Sequence, residues 1–377
     1  MRGLPAAALV PAVQTISWRA IVAGLPPATA RLVEEAARLC RQAGVPAYLV
    51  GGVVRDFLLG RPLAEADVVV VGDAAALACQ VAQAVGGWWV VFEAFGTARV
   101  GIPGGSLDLA PARTERYPRP GALPQVAPAG TIEEDLRRRD FTINALAVPL
   151  DGGGGGLVDP WGGRQDLERR LLRALHPASF DDDPTRLLRA VRFCVRYGLA
   201  VESRTRQWMR RAVAERALDR VSAARRGQEL RRALAERPCL PVARTLQRWG
   251  LLDALCPGWR LAQRTARVLA RLDGDDDPPG GRGAVALVAL AEGWLAGEPQ
   301  VAALQCRQLD ERLALTAEDR QAMERVAQAR RAVRCLRQGG RLLPSTVDCC
   351  LRALPPAALG WVAQAAGGPG SAGYRWV

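Results

Sequence analysis

The sequence predicts an α+β fold, in which an N-terminal part containing a sheet is followed by helices. Up to about residue 150, short apolar runs bounded by glycine and proline alternate with helical patterns, which predicts strands packed against helices. From there on, apolar residues recur at helical spacing between proline and glycine breaks. The length of 377 residues exceeds the usual size of one hydrophobic core, so we expect two or three domains.

The charge of the chain indicates a polyanionic partner. The formal net charge is +13, and every basic residue is an arginine. The arginines are concentrated in the C-terminal half, in helical segments such as RTRQWMRR and RRGQELRR. An excess of this size is typical of proteins that bind nucleic acid, and we expect the partner to lie along these helices. The alternative is a set of solvated helix faces whose arginines reflect codon usage.

Cysteine and histidine usage argue against two kinds of site. The nine cysteines lack the spacing of metal ligands, so we expect buried thiols in a reducing, cytoplasmic environment. With His176 as the only histidine, the chain lacks the parts of a histidine-based zinc site or a Ser-His-Asp triad. No window approaches the ~20 apolar residues of a membrane span, and the proline-broken residues 1–27 are interpreted as a loose leader.

The apolar strand predicted over Ala47–Val50 follows an amphipathic helix and ends at two glycines, Gly51 and Gly52. Paired glycines let backbone N–H groups approach a phosphate that a Cβ would hold away. Arg55 and Asp56 lie on the opening turn of the next helix, where an arginine can reach phosphate oxygens with a two-pronged contact. The motif therefore predicts a polyphosphate cradle, although paired glycines also occur in ordinary turns.

Two carboxylates, Glu65 and Asp67, stand at the start of the next predicted strand. Because side chains alternate along a strand, residues two apart leave the same face. Two carboxylates on one face predict a site for Mg²⁺, which binds few protein oxygens and keeps places for substrate phosphates. The alternative is a solvated strand edge.

A third carboxylate, Asp108, belongs to a predicted hairpin. The elements after Asp67 are a helix over Asp73–Val85 with Asp73 as N-cap, a strand over Trp88–Phe92, and strands Ala98–Ile102 and Ser106–Leu109 around the turn Pro103-Gly104-Gly105. If the second arm of the hairpin lies beside the strand of Asp67, Asp108 joins the metal site. The alternative is a capped aspartate at a strand end.

The segment TIEEDLRRRDFTINALAV, residues 131–148, follows a loop predicted over Pro118–Ala129. Its acidic start and basic end suit a helix dipole. Four polar residues have the spacing of one helical face, or of a helix and its C-terminal turn, and can hydrogen-bond a nucleotide: Arg138, Arg139, Asp140 and Asn144. The alternative is a solvated helix end. We expect the first domain to end between the glycine run at 152–156 and Arg170.

The segment FDDDPTRLLRAVRFCVRYG, residues 180–198, predicts a helix with Pro184 at its first position. Asp183 and Arg186, three residues apart, would offer one acceptor and one forked donor side by side. Adenine and cytosine each present an amino donor beside a ring-nitrogen acceptor, so such a pair selects A and C without a template. The alternative is a capped helix with a solvated stripe formed by Arg186, Arg189 and Arg192.

The motifs GGVVRD, the carboxylate pair, RRDFTINA and DDPTRLLRAVRF, in this order and at these distances, resemble the bacterial tRNA nucleotidyltransferase and poly(A) polymerase family, the second class of CCA-adding enzymes. The resemblance is specific from about Tyr48 to Gly198. It implies a nucleotidyltransferase-fold head with a mixed sheet, then an all-α neck, body and tail that hold the acceptor arm of tRNA. The implied activity is addition of C, A or both to the tRNA 3′ end from CTP or ATP with Mg²⁺.

The resemblance also implies domain boundaries and residue roles. The expected segments are a head over 28–165, a neck for base selection over 166–236, a body and tail over 237–365, and a disordered end over 366–377. The implied roles are Gly52 and Arg55 for the triphosphate, Glu65 and Asp67 for metal, Arg139 and Asp140 for the ribose region, and Asp183, Arg186, Arg189 and Arg192 for base selection and phosphate contact.

The chain departs from the family pattern at Glu65, where the metal motif has aspartate, and in a neck helix at Ala224, where an acidic residue is usual. Glutamate keeps the charge but displaces its oxygens by roughly one C–C bond length. Because Mg²⁺ demands near-ideal octahedral geometry, this change slows or abolishes catalysis unless the backbone retreats. An RNA-binding protein with an impaired active site therefore stays open as an alternative. Poly(A) synthesis on other RNA also stays open, because the shared motifs do not separate it from tRNA repair.

Overall fold

The computed structural model describes residues 16–151, 156–275, 278–295, 299–337 and 351–367. These residues form two compact units. The first unit holds the described residues up to Arg119, together with Leu123–Ser179 and Ala200–Thr205. The second holds Pro120–Ala122, Phe180–Leu199 and the described residues from Arg206 onward. The head, neck and body boundaries expected from the sequence stay predictions.

The strands are β1 (Ala47–Val50), β2 (Asp67–Val70), β3 (Trp88–Phe92), β4 (Thr97–Ile102), β5 (Gly105–Pro111), β6 (Arg113–Arg116), β7 (Gln125–Pro128), β8 (Ala147–Pro149), β9 (Leu171–Leu172) and β10 (Ala200–Val201). The helices up to the middle of the chain are α1 (Trp18–Val22), α2 (Pro27–Ala43), α3 (Gly52–Leu58), α4 (Ala74–Val85), α5 (Ile132–Arg137), α6 (Gly163–Glu168), α7 (Ser179–Asp182), α8 (Arg186–Tyr197) and α9 (Ser203–Ala214). The later helices are α10 (Ala223–Leu234), α11 (Cys239–Arg248), α12 (Leu251–Leu255), α13 (Gln263–Leu272), α14 (Arg282–Trp294), α15 (Pro299–Leu313), α16 (Ala317–Glu324), α17 (Val326–Arg337) and α18 (Pro356–Ala366).

The first unit is built on a six-stranded mixed sheet with the order β3-β4-β5-β2-β1-β8. Strands β2 and β5 pair in parallel, and all other neighbours in this sheet are antiparallel. The sheet and the helices that follow it confirm the predicted α+β class. Strands β2 and β5 are the two central strands, and the first residue of β2 pairs with a residue in the middle of β5.

Apolar residues on α2, α4 and the central strands form the core that fixes this sheet. Val68–Val70 of β2 are buried, as expected for a strand covered on both faces. Helices α2 and α4 pack against each other, and they contact β5 and β4. Asp73 accepts hydrogen bonds from the N–H groups of Ala75 and Ala76 at 2.9 and 3.0 Å, which confirms it as the N-cap of α4.

Helix α1 corrects the prediction of a loose leader over residues 1–27. Trp18, Ile21 and Val22 of this helix are buried, and the Ser17 side chain caps its start. The interpretation is therefore wrong for residues 16–27, because their apolar side chains join the core. Residues 1–15 and the part of the predicted disordered end from 368 onward lie outside the described residues. Ala366, placed in that end by the prediction, closes α18.

A second hairpin occupies part of the loop predicted over Pro118–Ala129. Strand β7 pairs antiparallel with β6, with Arg113 opposite Pro128. Proline is tolerated in edge strands, which explains why its presence here misleads a sequence-based assignment. The predicted hairpin of β4 and β5 is confirmed, although Gly105 belongs to β5 and the turn is shorter by one residue.

The described residues of the second unit form helices joined by turns, and none of them belongs to a strand. Helix α8 packs on α10 and α11, and α14 packs on α10, α13 and α18. Every residue of α14 from Val285 to Glu292 is buried, as expected for a helix surrounded by others. No helix among the described residues is both long enough and apolar enough to cross a bilayer.

Candidate active site

The acidic edge, formed by Glu65, Asp67 and Asp108, lies where β2 begins, beside the middle of β5. Asp67 is the first residue of β2 and pairs with Asp108 in the parallel register of β2 and β5. Paired residues of neighbouring strands point to the same face about 4.8 Å apart, so the two carboxylates stand side by side. The predicted position of Asp108 beside the strand of Asp67 is confirmed.

Glu65 lies before β2 and not within it, which corrects the expectation that both members of the pair belong to one strand. Pairing nevertheless continues past the strand, because the Ala66 carbonyl accepts a hydrogen bond from the Asp108 N–H at 3.3 Å. Ala66 is buried, whereas Glu65 and Asp67 are exposed. This alternation indicates that Glu65 and Asp67 still share a face.

Asp67 shows the electrostatic consequence of this crowding. Desolvation by the surrounding protein raises the pKa of Asp67, although one side of the residue stays open to solvent. The charge of Asp108 raises this pKa more than Arg139 lowers it, and the charge of Glu65 raises it more than Arg99 lowers it. At Asp67, the charges of the neighbouring carboxylates therefore outweigh those of the two nearby guanidinium groups.

The acidic edge fits a divalent cation. Its donors are hard carboxylate oxygens, and the uncompensated charge around Asp67 is what a bound cation would neutralise. Within the described part of the chain, no three acidic, thiol or imidazole side chains are already gathered as a metal cage. Mg²⁺ does not require such a cage, because one or two carboxylates plus substrate phosphates usually hold it.

Arg99, which the sequence analysis did not identify, binds Asp108 with a two-pronged contact. Its Nε and Nη2 atoms donate to Oδ1 and Oδ2 of Asp108 at 2.6 and 2.7 Å. The two residues face each other across the antiparallel pair of β4 and β5. The hydrogen bond and charge of Asp108 raise the pKa of Arg99, and Glu65 and Asp67 raise it further. Arg99 thus responds to all three carboxylates.

Gly51 and Gly52 form the turn between β1 and α3, and they differ in what the protein requires of them. Gly51 has φ +63° and ψ −114°, and a Cβ there would lie 2.8 Å from Nη1 of Arg139. Only glycine fits this position. A Cβ on Gly52 would approach Nη2 of Arg55 no closer than 3.7 Å, which is ordinary contact. Packing therefore leaves room beside Gly52, which is compatible with the predicted phosphate cradle.

Arg55, Asp56, Asn144 and Asp140 form one hydrogen-bonded network. Arg55 donates to both carboxylate oxygens of Asp56 at 3.0 Å and to Oδ1 of Asn144. Asn144 in turn donates to Oδ1 of Asp140 at 2.9 Å, and this oxygen also accepts from the N–H of Phe141. Arg55, Asp140 and Asn144 are buried. These side chains hold residues 140–144 against α3, and their contacts with a nucleotide stay predictions.

Arg139 follows the end of α5 and is positioned by a fully buried carboxylate, Asp135. Nη2 and Nε of Arg139 donate to Oδ2 of Asp135 at 2.9 and 3.3 Å. Burial raises the pKa of Asp135, but the charges and hydrogen bonds of Arg139 and Arg138 together lower it by more. The pKa of Asp135 therefore lies below its usual value. Of the two arrangements expected for this segment, the structure has a helix followed by a turn. The Arg139 guanidinium therefore lies against the Gly51 turn.

In the second unit, Asp183 lies in the turn before α8. The helix begins at Arg186, so the predicted start at Pro184 is wrong by two residues. Asp183 Oδ1 accepts hydrogen bonds from the N–H and hydroxyl of Thr185 at 3.0 and 2.6 Å. It also accepts from Nη2 of Arg225 at 2.9 Å, a partner that the sequence analysis missed. Three donors on Oδ1 fix the orientation of Oδ2.

The predicted arginine stripe of α8 is not simply solvated. Arg186 is buried, and Arg189 and Arg192 are half-buried. Glu229 of α10, itself buried, has carboxylate oxygens 4.0 Å from Arg189 and 3.7 Å from Arg192. Both guanidinium groups also lie over the ring of Phe193, at 5.4 and 5.1 Å from its centroid. The alternative of a solvated stripe is therefore wrong for these three arginines.

A mixed sheet that carries paired carboxylates beside a glycine turn is typical of the nucleotidyltransferase class, and comparison with known proteins narrows this class. Residues 47–173 match the family described as "Poly A polymerase head domain". The chain is 39% identical over 285 residues to the CC-adding tRNA nucleotidyltransferase of Deinococcus radiodurans, over 72% of this chain and 73% of that protein. The chain belongs to the tRNA nucleotidyltransferase and poly(A) polymerase family.

Other relatives differ in length. The A-adding tRNA nucleotidyltransferase of Aquifex aeolicus is 40% identical over 227 residues, which are 60% of this chain and 27% of that protein. Across four of the curated relatives, the matched region spans only 27 to 45% of their length. The family generally works with a divalent metal ion.

Solved structures resemble nearly the whole chain. One CCA-adding enzyme in an apo form is 27% identical with a TM-score of 0.76, over 95% of this chain and 84% of that one. Another structure is of a CCA-adding enzyme with ATP, and a third is of the CCA-adding enzyme of Thermotoga maritima with tRNA. Both are 26% identical over 95% of this chain and 83% of theirs, with TM-scores of 0.74 and 0.70.

Proposed function

We propose that this chain is a template-independent nucleotidyltransferase that adds C, A or both to the 3′ end of tRNA. The observation that carries the proposal is the pairing of Asp67 with Asp108, next to Glu65, in a member of this family. In the reaction, the 3′-hydroxyl oxygen of tRNA bonds to the α-phosphorus of CTP or ATP. The hydroxyl proton passes to solvent, the bond between the α-phosphorus and the oxygen that bridges to the β-phosphate breaks, and pyrophosphate leaves with that oxygen.

Glu65, Asp67 and Asp108 would hold Mg²⁺. When bound there, Mg²⁺ polarises the attacking and leaving oxygens of the transferred phosphate. The space beside Gly52 would admit the triphosphate, whose charge Arg139 can approach from the Gly51 turn.

Base selection is assigned to the second unit. Asp183 would accept from the amino group of adenine or cytosine, and Arg186 would donate to the adjacent ring nitrogen. The fixed orientation of Asp183 Oδ2 supports this role, because a preorganised acceptor discriminates better than a mobile one. Arg189 and Arg192 would contact phosphate with their accessible edges.

The tRNA acceptor arm is the partner we infer for the arginine-rich helices of the second unit. The net charge of +13 and the solved tRNA complex of a similar enzyme support this inference. Binding measured by fluorescence anisotropy should weaken steeply as salt rises, because each neutralised phosphate releases counterions. A flat salt dependence would contradict it. The cytoplasmic location stays a prediction.

The test of the activity is direct. The purified protein, incubated with Mg²⁺, labelled CTP or ATP and tRNA that lacks its 3′ end, should extend the tRNA by one to three nucleotides, in line with the products named for its relatives. No extension under varied metal and nucleotide conditions would refute the proposal. Long adenylate tails on unrelated RNA would favour a poly(A) polymerase, which the name of the matched head domain also describes.

A second candidate is an RNA-binding protein with an impaired active site. Glu65 favours it, because glutamate stands where the family motif has aspartate. Glu65→Asp separates the two functions. If the native chain binds tRNA without extending it and Glu65→Asp restores extension, the impaired site is correct; if the native chain is active, this candidate is excluded.

A further inference from the structure

Arg99 occupies both oxygens of the one carboxylate that the sheet places beside Asp67. The contact distances of 2.6 and 2.7 Å join Nε and Nη2 to separate oxygens, so no oxygen of Asp108 is left without a guanidinium donor. The Arg99 and Asp108 side chains are 49% and 44% exposed. The pair is therefore open to solvent and not locked in the core.

The pairing has a geometric origin. Arg99 and Asp108 are directly opposite across β4 and β5, while Asp108 and Asp67 are directly opposite across β5 and β2. Three charged residues thus form one row across three strands, with Asp108 in the middle. A divalent ion held between Asp67 and Asp108 and the Arg99 guanidinium would compete for the same two oxygens.

The other nearby guanidinium group, that of Arg139, binds a different carboxylate. Arg139 lowers the pKa of Asp67, but its Nη2 and Nε atoms bind the buried Asp135. Arg99 is the guanidinium that the structure joins to the acidic edge by hydrogen bonds.

We propose that Arg99 is a positioning residue that holds Asp108 away from the metal and competes with the metal for this carboxylate. Metal binding then requires that the contact between Arg99 and Asp108 opens. This inference rests on the metal site of the proposed function, and it predicts that weakening the Arg99 contact tightens metal binding.

The experiment measures Mn²⁺ binding to the nucleotide-free, full-length protein by loss of the free-ion electron paramagnetic resonance signal, at fixed low salt. An exposed ion pair is worth about 0.2–1 kcal/mol, so Arg99→Gln should bind Mn²⁺ up to about five-fold more tightly than the native chain. Arg164→Gln is the matched control, because it removes an equally charged and similarly exposed partner of Glu168 within the same unit. It should leave Mn²⁺ binding unchanged.

Arg99→Lys distinguishes a contact from a general charge effect. Lysine keeps the charge but loses the two-pronged geometry, so its Mn²⁺ affinity should fall between those of the native chain and Arg99→Gln. The inference is overturned if Arg99→Gln binds no more tightly, or if Arg99→Lys binds as the native chain does. Absence of Mn²⁺ binding in all variants would instead remove the proposed metal site and this inference together.

Discussion

The acidic edge of the first unit and the arginine face of α8 in the second handle crowded charge in opposite ways. At the acidic edge, desolvation by the protein raises the pKa of Asp67 most, and the charges of Asp108 and Glu65 raise it further. On α8, Arg189 and Arg192 meet the buried Glu229 and stack on an aromatic ring. Carboxylates without enough neighbouring positive charge indicate a site where a cation binds. Arginines that lie beside a buried carboxylate contribute to the stability of the fold.

The largest effect is expected when a negative charge is removed from the acidic edge. Asp67→Asn should lower nucleotide incorporation by more than about 100-fold if Asp67 is the metal ligand proposed above, because the loss of a direct ligand costs more than the 10- to 100-fold cost of losing a residue that hydrogen-bonds to a ligand. Initial rates with labelled CTP and ATP measure the effect. The control is Asp73→Asn, since asparagine caps α4 about as well as aspartate. Equal rates for both variants would remove Asp67 from the site.

On the arginine side of the comparison, Asp183→Asn should make incorporation less selective. The amide can rotate to offer a donor to uracil or guanine, and a two-pronged base contact is worth ~1–3 kcal/mol, so discrimination should shrink by about one to two orders of magnitude. Rates with all four nucleotides measure it. Asp181→Asn is the control, because Asp181 lies two residues before Asp183 and pairs with Arg211 and Arg220 instead. Unchanged preference at unchanged thermal stability would show that Asp183 does not read the base.

Much of the acidic edge could be predicted from the sequence, because alternation along short strands depends on local geometry. Arg99 could not be predicted as the partner of Asp108, because the turn predicted from the sequence is one residue longer than the observed turn. A three-residue turn over Pro103-Gly104-Gly105 would place Arg99 opposite Leu109, whereas the observed turn pairs Ile102 with Gly105 and brings Arg99 opposite Asp108. A shift of one residue changes every cross-strand partner.

The partners of α8 show a different limit of sequence analysis. Glu229 is far from Arg192 in the sequence. Only the packing of α8 on α10 brings its Oε2 atom to 3.7 Å from Nη1 of Arg192. Helical spacing predicts which residues share a face, but it does not predict what covers that face. The sequence alone therefore could not exclude the alternative of a solvated stripe, which the packing of α8 on α10 excludes.

Removing the compensation on α8 should affect stability more than chemistry. Glu229→Gln keeps the shape of the side chain but removes the buried negative charge near Arg189, Arg192 and Arg232, so we expect a loss of about 1–2 kcal/mol in the free energy of unfolding. Urea denaturation measures the loss. Glu215→Gln is the matched control, because Glu215 is exposed and pairs loosely with Arg211 and Arg220. Its effect should stay near zero. Equal losses for both variants would contradict a buried role for Glu229.

The smallest expected effect concerns Glu202, a carboxylate whose charge is stabilised by hydrogen-bond donors, unlike that of Asp67. Burial raises the pKa of Glu202, but hydrogen bonds from the backbone of Thr205 and Arg204 and from the hydroxyls of Ser203 and Thr205 outweigh it and lower this pKa from 4.5 to about 2. Because the folded state favours the ionised form, Glu202 contributes stability above pH 4.5 and loses it as the pH falls towards 2.

Glu202→Gln, which removes this charge at the start of α9, should therefore cost about 1 kcal/mol of unfolding free energy at pH 7. Urea titrations of both proteins at pH 7, 5, 4 and 3 should show the difference constant down to about pH 5 and smaller at each lower pH, because the native Glu202 takes up a proton more readily unfolded than folded. A difference that stays the same from pH 7 to pH 3 would show that the ionised carboxylate of Glu202 contributes nothing beyond its shape.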